Sequence, residues 1–466
     1  MVQRSRQTTS KYLLARQLPE RLPEVRWNLM APQKCSNDLP DLIFHWQNTS
    51  VLPENMAEAQ TGSRKTTLFH QEASGGVTYR IPALLFLPNQ SVFLAFAEKR
   101  SSPKDEHAKY LVMRRGQKEG TSVQWGPPQA LVSAMIPGHR TMNPCPVYEK
   151  ETGRVFLFFI CVQSNATAWH QIATGRNAAR LGSVSSQDGG HTWSWLTDLT
   201  DRVIGDNLRN WATFAVGPGH GLQLRSGRLV IPAYAYYIRR HVSGKPAARR
   251  TRPHCFTVYS DDGGRNWTRG QLVPGFRTEE CQVAELTRPD HSQVLYCNAR
   301  SPKYRVAVLS TNGGNQFETP FLSKKLPETR NGCQGSVVSF SPALKPSETG
   351  QRANPVDSTH PLGVPRLTAL NTTKEWLLFS HPMGRRKRVN LGIYLNTAPL
   401  ANGSWKAPWV LHEGPSGYSD LAVCRENHTL LFGCLFESGL TTEYEEIAFR
   451  LFTVLELLNN TRGNVT

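Results

Sequence analysis

Three copies of one turn signature constrain the fold of this chain more than any other feature. Ser186-Gln-Asp188-Gly-Gly190-His-Thr192-Trp193 is the complete form. Ser260-Asp-Asp262-Gly-Gly264-Arg-Asn266-Trp267 places Asn at the Thr position, and Ser310-Thr-Asn312-Gly-Gly314-Asn-Gln316-Phe317 is a degenerate copy. The Asp side chain of such a turn can accept from backbone amides, as in an Asx-turn, and the closing aromatic is placed to pack between strands. The copies recur between short apolar runs at a spacing suited to a four-stranded sheet. Repeated four-stranded sheets build a propeller of about four to eight blades. With turn-like Gly and Pro clusters throughout, and helical periodicity only near the C-terminus, the chain reads as all-β.

A second feature is the stretch from Thr78 to Glu106. Its apolar runs, Ala83 to Leu87 and Val92 to Ala97, are joined by Pro88-Asn-Gln-Ser91 and predict a buried β-hairpin. Arg80 stands at the start of the first strand, where burial of the charge is costly unless an anion meets it. An ion pair with Glu98 across the hairpin is one solution. The hairpin closes on Glu98, Lys99 and Arg100, and a polar loop with Asp105, Glu106 and His107 follows.

Tyr79-Arg80-Ile81-Pro82 is similar to the Arg-Ile-Pro signature of sialidases, the glycosidases that remove terminal sialic acid, and the three turns resemble their Asp-boxes. His139-Arg-Thr-Met-Asn-Pro-Cys-Pro146 and Thr213-Phe-Ala-Val-Gly-Pro-Gly-His220 resemble the vertebrate cytosolic and membrane-associated sialidases, in particular the ganglioside-preferring branch at the plasma membrane. The similarity runs from about Phe69 to Thr453 and implies a six-bladed β-propeller over residues 69–455. Residues 1–68 read as a loosely ordered extension, 342–367 as an insertion loop, and 456–466 as a tail, with a short helix expected from Thr442. Arg4, Arg6, Lys11 and Arg16 precede any acid; mitochondrial presequences start this way, and so do disordered tails.

The net charge of +18 calls for an anionic partner. No nucleic-acid module or dense Lys/Arg helix is recognisable, which leaves an anionic membrane surface or an acidic substrate. No uncharged apolar run reaches the roughly 20 residues that span a bilayer, so the expectation is peripheral membrane attachment, with cytosol, endosome, lysosome and mitochondrion as alternatives. Nine cysteines, scattered and without a CxxC pair, argue for reduced thiols and against a disulfide framework or a zinc site.

Sialic acid carries a carboxylate on its anomeric carbon, and Arg grips a carboxylate bidentately where Lys cannot. The resemblance assigns that grip to Arg80, Arg300 and Arg388, with Glu437 orienting the first. It makes Tyr418 the nucleophile, since a neutral phenol avoids the repulsion a carboxylate would meet beside the substrate's own charge. A phenol titrates near 10 and needs a base, which the resemblance places at Glu280; Glu279 would point to the opposite face of the strand. Asp105 becomes the acid that protonates the leaving oxygen and then activates water. Arg100 joins the substrate-binding set. Met142 and Asn143 lie just before a strand, where the family lines its N-acetyl pocket, and Tyr234 and Tyr236, on one strand face, become pocket walls. No metal or organic cofactor is implied. Two departures stand out: Ala168-Trp169 occurs where relatives often carry an acid, and Asn390 where they carry Asp. The alternatives are a sialic-acid-binding propeller lectin that has lost catalysis and an Asp-box adhesion propeller.

Overall fold

The computed structural model describes residues 64–239, 251–342, 375–401, 403–426 and 429–461. Residues 1–63 of the expected extension, 343–367 of the expected insertion and the basic segment 240–250 lie outside them. The strands form four sheets of four or five strands and one of seven, all with antiparallel pairing. Each smaller sheet is built from consecutive strands, beginning at Thr78–Leu87, His139–Tyr148, Trp211–Val216 and Cys281–Thr287. Runs such as Val155–Gln163 are buried along almost their whole length, because both faces of the strand are covered. This explains why they read as continuous apolar stretches and not as alternating ones.

The seven-stranded sheet hinges on one long strand, Trp409–Glu426. Its first part pairs with Val389–Asn396 and its second with Thr429–Ser438. The outermost strand is Thr66–His70, paired with Glu446–Thr453. It starts before the boundary read from the sequence. The C-terminal helix is Val454–Thr461, later than the expected start at Thr442, because Ile447, Ala448, Phe449, Leu451 and Phe452 are consumed by the strand and buried there.

Inner strands of neighbouring sheets pack on one another: Thr78–Leu87 against His139–Tyr148, Cys281–Thr287 against Ser336–Phe340, and Thr78–Leu87 again against Trp409–Glu426. Polar side chains tie them together. Asp420, fully buried, accepts from the Leu84 amide and the Ser336 hydroxyl at 2.7 Å and faces His220 Nδ1 at 2.8 Å. Gln282 donates to the Pro218 and His220 carbonyls at 3.2 Å, and Gln334 to Pro218 at the same distance.

The three turn signatures fold alike at the opposite end of their sheets. Ser186 and Ser260 donate to Asp188 and Asp262 at 2.8 Å, and Ser310 donates to Asn312 at 2.9 Å. Asn266 supplies both its amide and its side chain to Asp262, so it replaces Thr without loss of the turn. The closing aromatics wedge between sheets: Trp193 meets Phe96, and Trp267 meets Phe156 and Phe158.

Candidate active site

The inner strands break where the site forms. Ile81 has φ 62°, Asn143 φ 58° and Gly217 φ 46°, each directly before a proline. For a β-branched residue such as Ile81 this is a strained conformation, of a kind that clusters at functional sites. The pairing register slips between Arg80 and Ala83 and again between Met142 and Cys145. Arg80 and Asn143 thereby leave the regular alternation, Arg80 to meet Glu437 and the Asn143 amide to meet Glu98. Met142 and Asn143 lie inside the strand His139–Tyr148, at its bulge, and not before a strand as expected.

Glu437, fully buried on Thr429–Ser438, organises one side. It accepts from Arg80 Nε at 3.0 Å and Nη2 at 3.3 Å, from the Ile81 amide at 2.9 Å and from the Tyr418 amide at 2.9 Å. The phenol of Tyr418 donates to Glu280 Oε1 at 2.5 Å. Arg300 Nη1 reaches Glu280 Oε2 at 2.7 Å and the Tyr418 oxygen at 3.1 Å. Arg80 and Arg388 each hold a guanidinium carbon 5.3 Å from the Tyr418 ring centroid. Three arginines from separate strand ends therefore surround one buried phenol, which is hydrogen-bonded to a buried carboxylate.

A second group adjoins it. Arg100 donates to Glu98 Oε2 at 2.9 and 2.6 Å and to Asp105 Oδ1 at 2.5 Å. Asp105 also lies 3.6 Å from Arg80, with its side chain 65% exposed. Glu98 takes the Asn143 amide at 2.7 Å. The expected Arg80–Glu98 pair is thus replaced by two pairs, Arg80–Glu437 and Arg100–Glu98. The rings of Tyr234 and Tyr236 sit edge to face, 6.3 Å apart. Glu279 does not point away from the site: it comes 3.6 Å from Arg300 Nε. It precedes the strand Cys281–Thr287, where strand alternation does not apply.

Residues 91–431 match the family described as BNR repeat-like domain. Human Sialidase-3 is 52% identical over 418 residues, covering 88% of this chain and 97% of that protein. The chain belongs to the sialidase family. Mouse Sialidase-2 is 44% identical to this sialidase over 398 residues, covering 84% of this chain and 95% of its own. Among solved structures, the Hadza microbial sialidase Hz136 shares the fold at a TM-score of 0.63 and 22% identity, over 84% of this chain and 69% of that chain. The Trypanosoma rangeli sialidase in complex with 2,3-difluorosialic acid, described as a covalent intermediate, does so at 0.57 and 15%, over 87% of this chain and 60% of that one. This enzyme is accordingly a glycoside hydrolase of the all-β sialidase fold.

Its electrostatics follow from burial opposed by close pairing. Burial works against the charge on Arg80, yet Glu437 and Asp105 hold the guanidinium well above its ordinary value. Arg300 is held up in the same way by Glu280. Burial and the Glu280 carboxylate push the Tyr418 phenol well above its usual range, against the pull of Arg300 and Arg388. Desolvation would raise Asp105, but Arg100 and Arg80 outweigh it and hold the carboxyl below the usual aspartate range.

Several contributors escaped the sequence reading. Tyr444 lies under Arg80, 4.6 Å from the guanidinium carbon. The carbonyls of Asn331 and Gly332 accept from Arg300 at 2.5 Å and from Arg388 at 2.9 Å. The Asn331-Gly332 pair was legible only as a turn signal. Gly332 has φ +68°, and a Cβ there would meet Arg300 Nε at 2.5 Å. The described cysteines are buried, but they are not simply scattered: Cys255, Cys281 and Cys297 bring their sulfurs within 4.8 Å of one another, a grouping able to hold a metal ion.

Proposed function

We propose that this sialidase is a retaining exo-α-sialidase of membrane sialoglycolipids, with Tyr418 as nucleophile, Glu280 as its base and Asp105 as the acid. The observation that carries the reading is the buried phenol, bonded to Glu280 and ringed by Arg80, Arg300 and Arg388. A phenol with a raised pKa is not pre-ionised; it attacks as its proton passes along the 2.5 Å bond to Glu280. Arg300, 3.1 Å from the same oxygen, then stabilises the charge that develops. The substrate carboxylate lies between the three guanidiniums, and Glu437 keeps Arg80 aimed at it. Asp105 is held ionised by Arg80 and Arg100 before substrate arrives. A carboxylate bound at Arg80 neutralises that charge and raises Asp105 toward the pKa an acid needs. Arg100 holds Asp105 in reach, while Met142 and Asn143 line the N-acetyl pocket and Tyr234 and Tyr236 form a wall. The covalent intermediate described for the Trypanosoma rangeli enzyme supports the two-step course. No metal or organic cofactor takes part in it.

The same reading takes the seven-stranded sheet as two blades that share the strand Trp409–Glu426, for six blades in all. Its support is the change of partner along that strand. Peripheral attachment to an anionic membrane is supported by the +18 charge and by Arg385, Arg386 and Lys387, exposed beside Arg388. Basic residues near an anionic surface gain about 1 kcal/mol each. Among the described residues no helix is long and apolar enough to cross a membrane.

One experiment tests the whole reading. Wild type and Tyr418→Phe are compared on a fluorogenic sialoside and on ganglioside vesicles at low and high salt, and each is incubated with 2,3-difluorosialic acid. The wild type is expected to be labelled on the Tyr418 peptide and to favour vesicles at low salt. The variant is expected to lose on the order of 10⁴-fold or more in kcat while binding sialic acid nearly as well. Label on another residue, or an active variant, removes Tyr418; an inactive wild type that still binds sialic acid is a lectin. Equal activity on both substrates at every salt removes the membrane reading.

A further inference from the structure

Two of the three guanidiniums around Tyr418 lean on one short loop. Arg300 donates to the Asn331 carbonyl and Arg388 to the Gly332 carbonyl. The loop joins the strands Phe321–Pro327 and Ser336–Phe340, and it needs an anchor to hold two charged side chains in register. Glu328, with its side chain wholly buried, supplies one. Its Oε2 accepts from the Cys333 amide at 3.1 Å and faces His381 Nε2 at 3.0 Å. Its Oε1 accepts from Arg305 Nη1 at 2.9 Å and from the amide of Ser301, the residue after Arg300, at 3.3 Å. Arg305 closes the unit by donating to the Cys333 carbonyl at 2.8 Å and to Asn298 Oδ1 at 2.6 Å. One carboxylate thus bonds the backbone beside Arg300 and the backbone beside the carbonyl that holds Arg388.

We propose that Glu328, with Arg305 and His381, is the positioning carboxylate of the substrate clamp, fixing Arg300 and Arg388 without touching substrate. The proposal rests on the reading of those arginines as the clamp. Buried ion pairs are weak sources of net stability, since desolvation offsets most of their attraction; an anchoring role accounts better for three polar side chains buried together. Burial opposes the charge on Glu328, but Arg305 and His381 bring its pKa down to about 2. The anchor is therefore ionised at neutral and mildly acidic pH. Glu149 is a useful contrast: it is also buried, yet it accepts from the amides of Glu151 and Thr152 in its own turn and from Gln223, and bonds none of the loop that holds the arginines.

The test is a double-mutant cycle between Glu328→Gln and Arg388→Lys, with KM for a fluorogenic sialoside and the inhibition constant of N-acetylneuraminic acid as readouts. Folding is checked by thermal unfolding. Glu328→Gln is expected to raise both constants about tenfold. In the Arg388→Lys background it is expected to add far less, because neighbours acting through one element are not additive. Glu149→Gln lowers the melting temperature and leaves both constants unchanged. If Glu328→Gln does not fold, His381→Gln is read by the same two criteria, with a smaller rise. A folded variant with unchanged constants, or one whose effect adds fully to that of Arg388→Lys, overturns the proposal. Unchanged constants in Arg388→Lys alone would instead sink the clamp reading on which it stands.

Discussion

The two ends of the sheets treat charge in opposite ways. At the turn-signature end, Asp188 and Asp262 are satisfied within a handful of residues: Asp188 by Ser186, His191 and Thr192, and Asp262 by Ser260 and Asn266. At the other end Arg100 meets Glu98 and Asp105 nearby, but the groups around the phenol find their partners far along the chain. Arg80 pairs with Glu437, and Tyr418 with Glu280. The Asp side chains of the first end are satisfied inside their own turns, although Arg228 links the second turn to the third, whereas the pairs around the phenol exist only when the sheets assemble. Arg80, Arg100, Glu98, Glu280 and Glu437 there are buried and held in place by one another or by Arg300, the kind of fixed arrangement that electrostatic catalysis requires.

Substitutions at the two ends sharpen this contrast. The largest effect is expected at Glu437, which bonds Arg80 and the amides of Ile81 and Tyr418. Glu437→Gln leaves the buried Arg80 charge with only the exposed Asp105 carboxylate 3.6 Å away, at a cost of about 3–5 kcal/mol of stability, and activity falls with it. Chemical denaturation and kcat/KM measure both; a stable, active variant would break the comparison. Arg300→Lys should be smaller and purely functional. Arg300 bonds Glu280 and the Tyr418 oxygen through Nη1 and the Asn331 carbonyl through Nη2, and a single ammonium nitrogen cannot replace both ends of that fork. The loss of a charge-assisted bond, roughly 1.5–3 kcal/mol, lowers kcat/KM about ten- to a hundredfold. Wild-type kinetics would remove Arg300 from the site.

The smallest effect belongs to the other end. Asp262→Asn should reduce stability by about 0.5–1.5 kcal/mol and leave kcat/KM unchanged, because Asn312 already accepts from Ser310 and Gln316 in the third turn. The pH dependence has a definite sign. Asp262 is held at about 2, chiefly by the Asn266 amide, below the ~3.9 of an unfolded aspartate. Its stabilisation is full above that unfolded value and is lost as pH falls toward about 2. Acid unfolding of the variant should lack this component, and an altered KM in the variant would show that the two ends are coupled.

Much of the site was legible as a set of residues but not as an arrangement. Arg80, Arg300, Arg388, Tyr418 and Glu280 each sit in a short stretch that can be matched by resemblance, and the structure gathers them around one phenol. The pairing of Arg80 could not be read in the same way. Glu98 is its neighbour across the hairpin and was the natural partner. The bulge at Ile81 turns Arg80 toward a strand more than 300 residues later, and Glu98 is left to Arg100 and Asn143. Tyr444 and Glu328 carried no signal and the Asn331-Gly332 pair none beyond a turn, because their contacts depend on position and not on residue type.

By itself the sequence determined the all-β class, the local turns and the strand cores. These rest on interactions between residues close in the chain and on apolar runs that must be buried wherever they end up. Tertiary structure alone decided which carboxylate meets which arginine, that Glu279 and Glu280 both reach Arg300, and that Cys255, Cys281 and Cys297 cluster. The physical reason is range. A hydrogen-bonded turn is fixed by backbone geometry over about five residues, whereas a buried ion pair is fixed by which sheets pack together, and that packing follows from the summed burial of the whole chain.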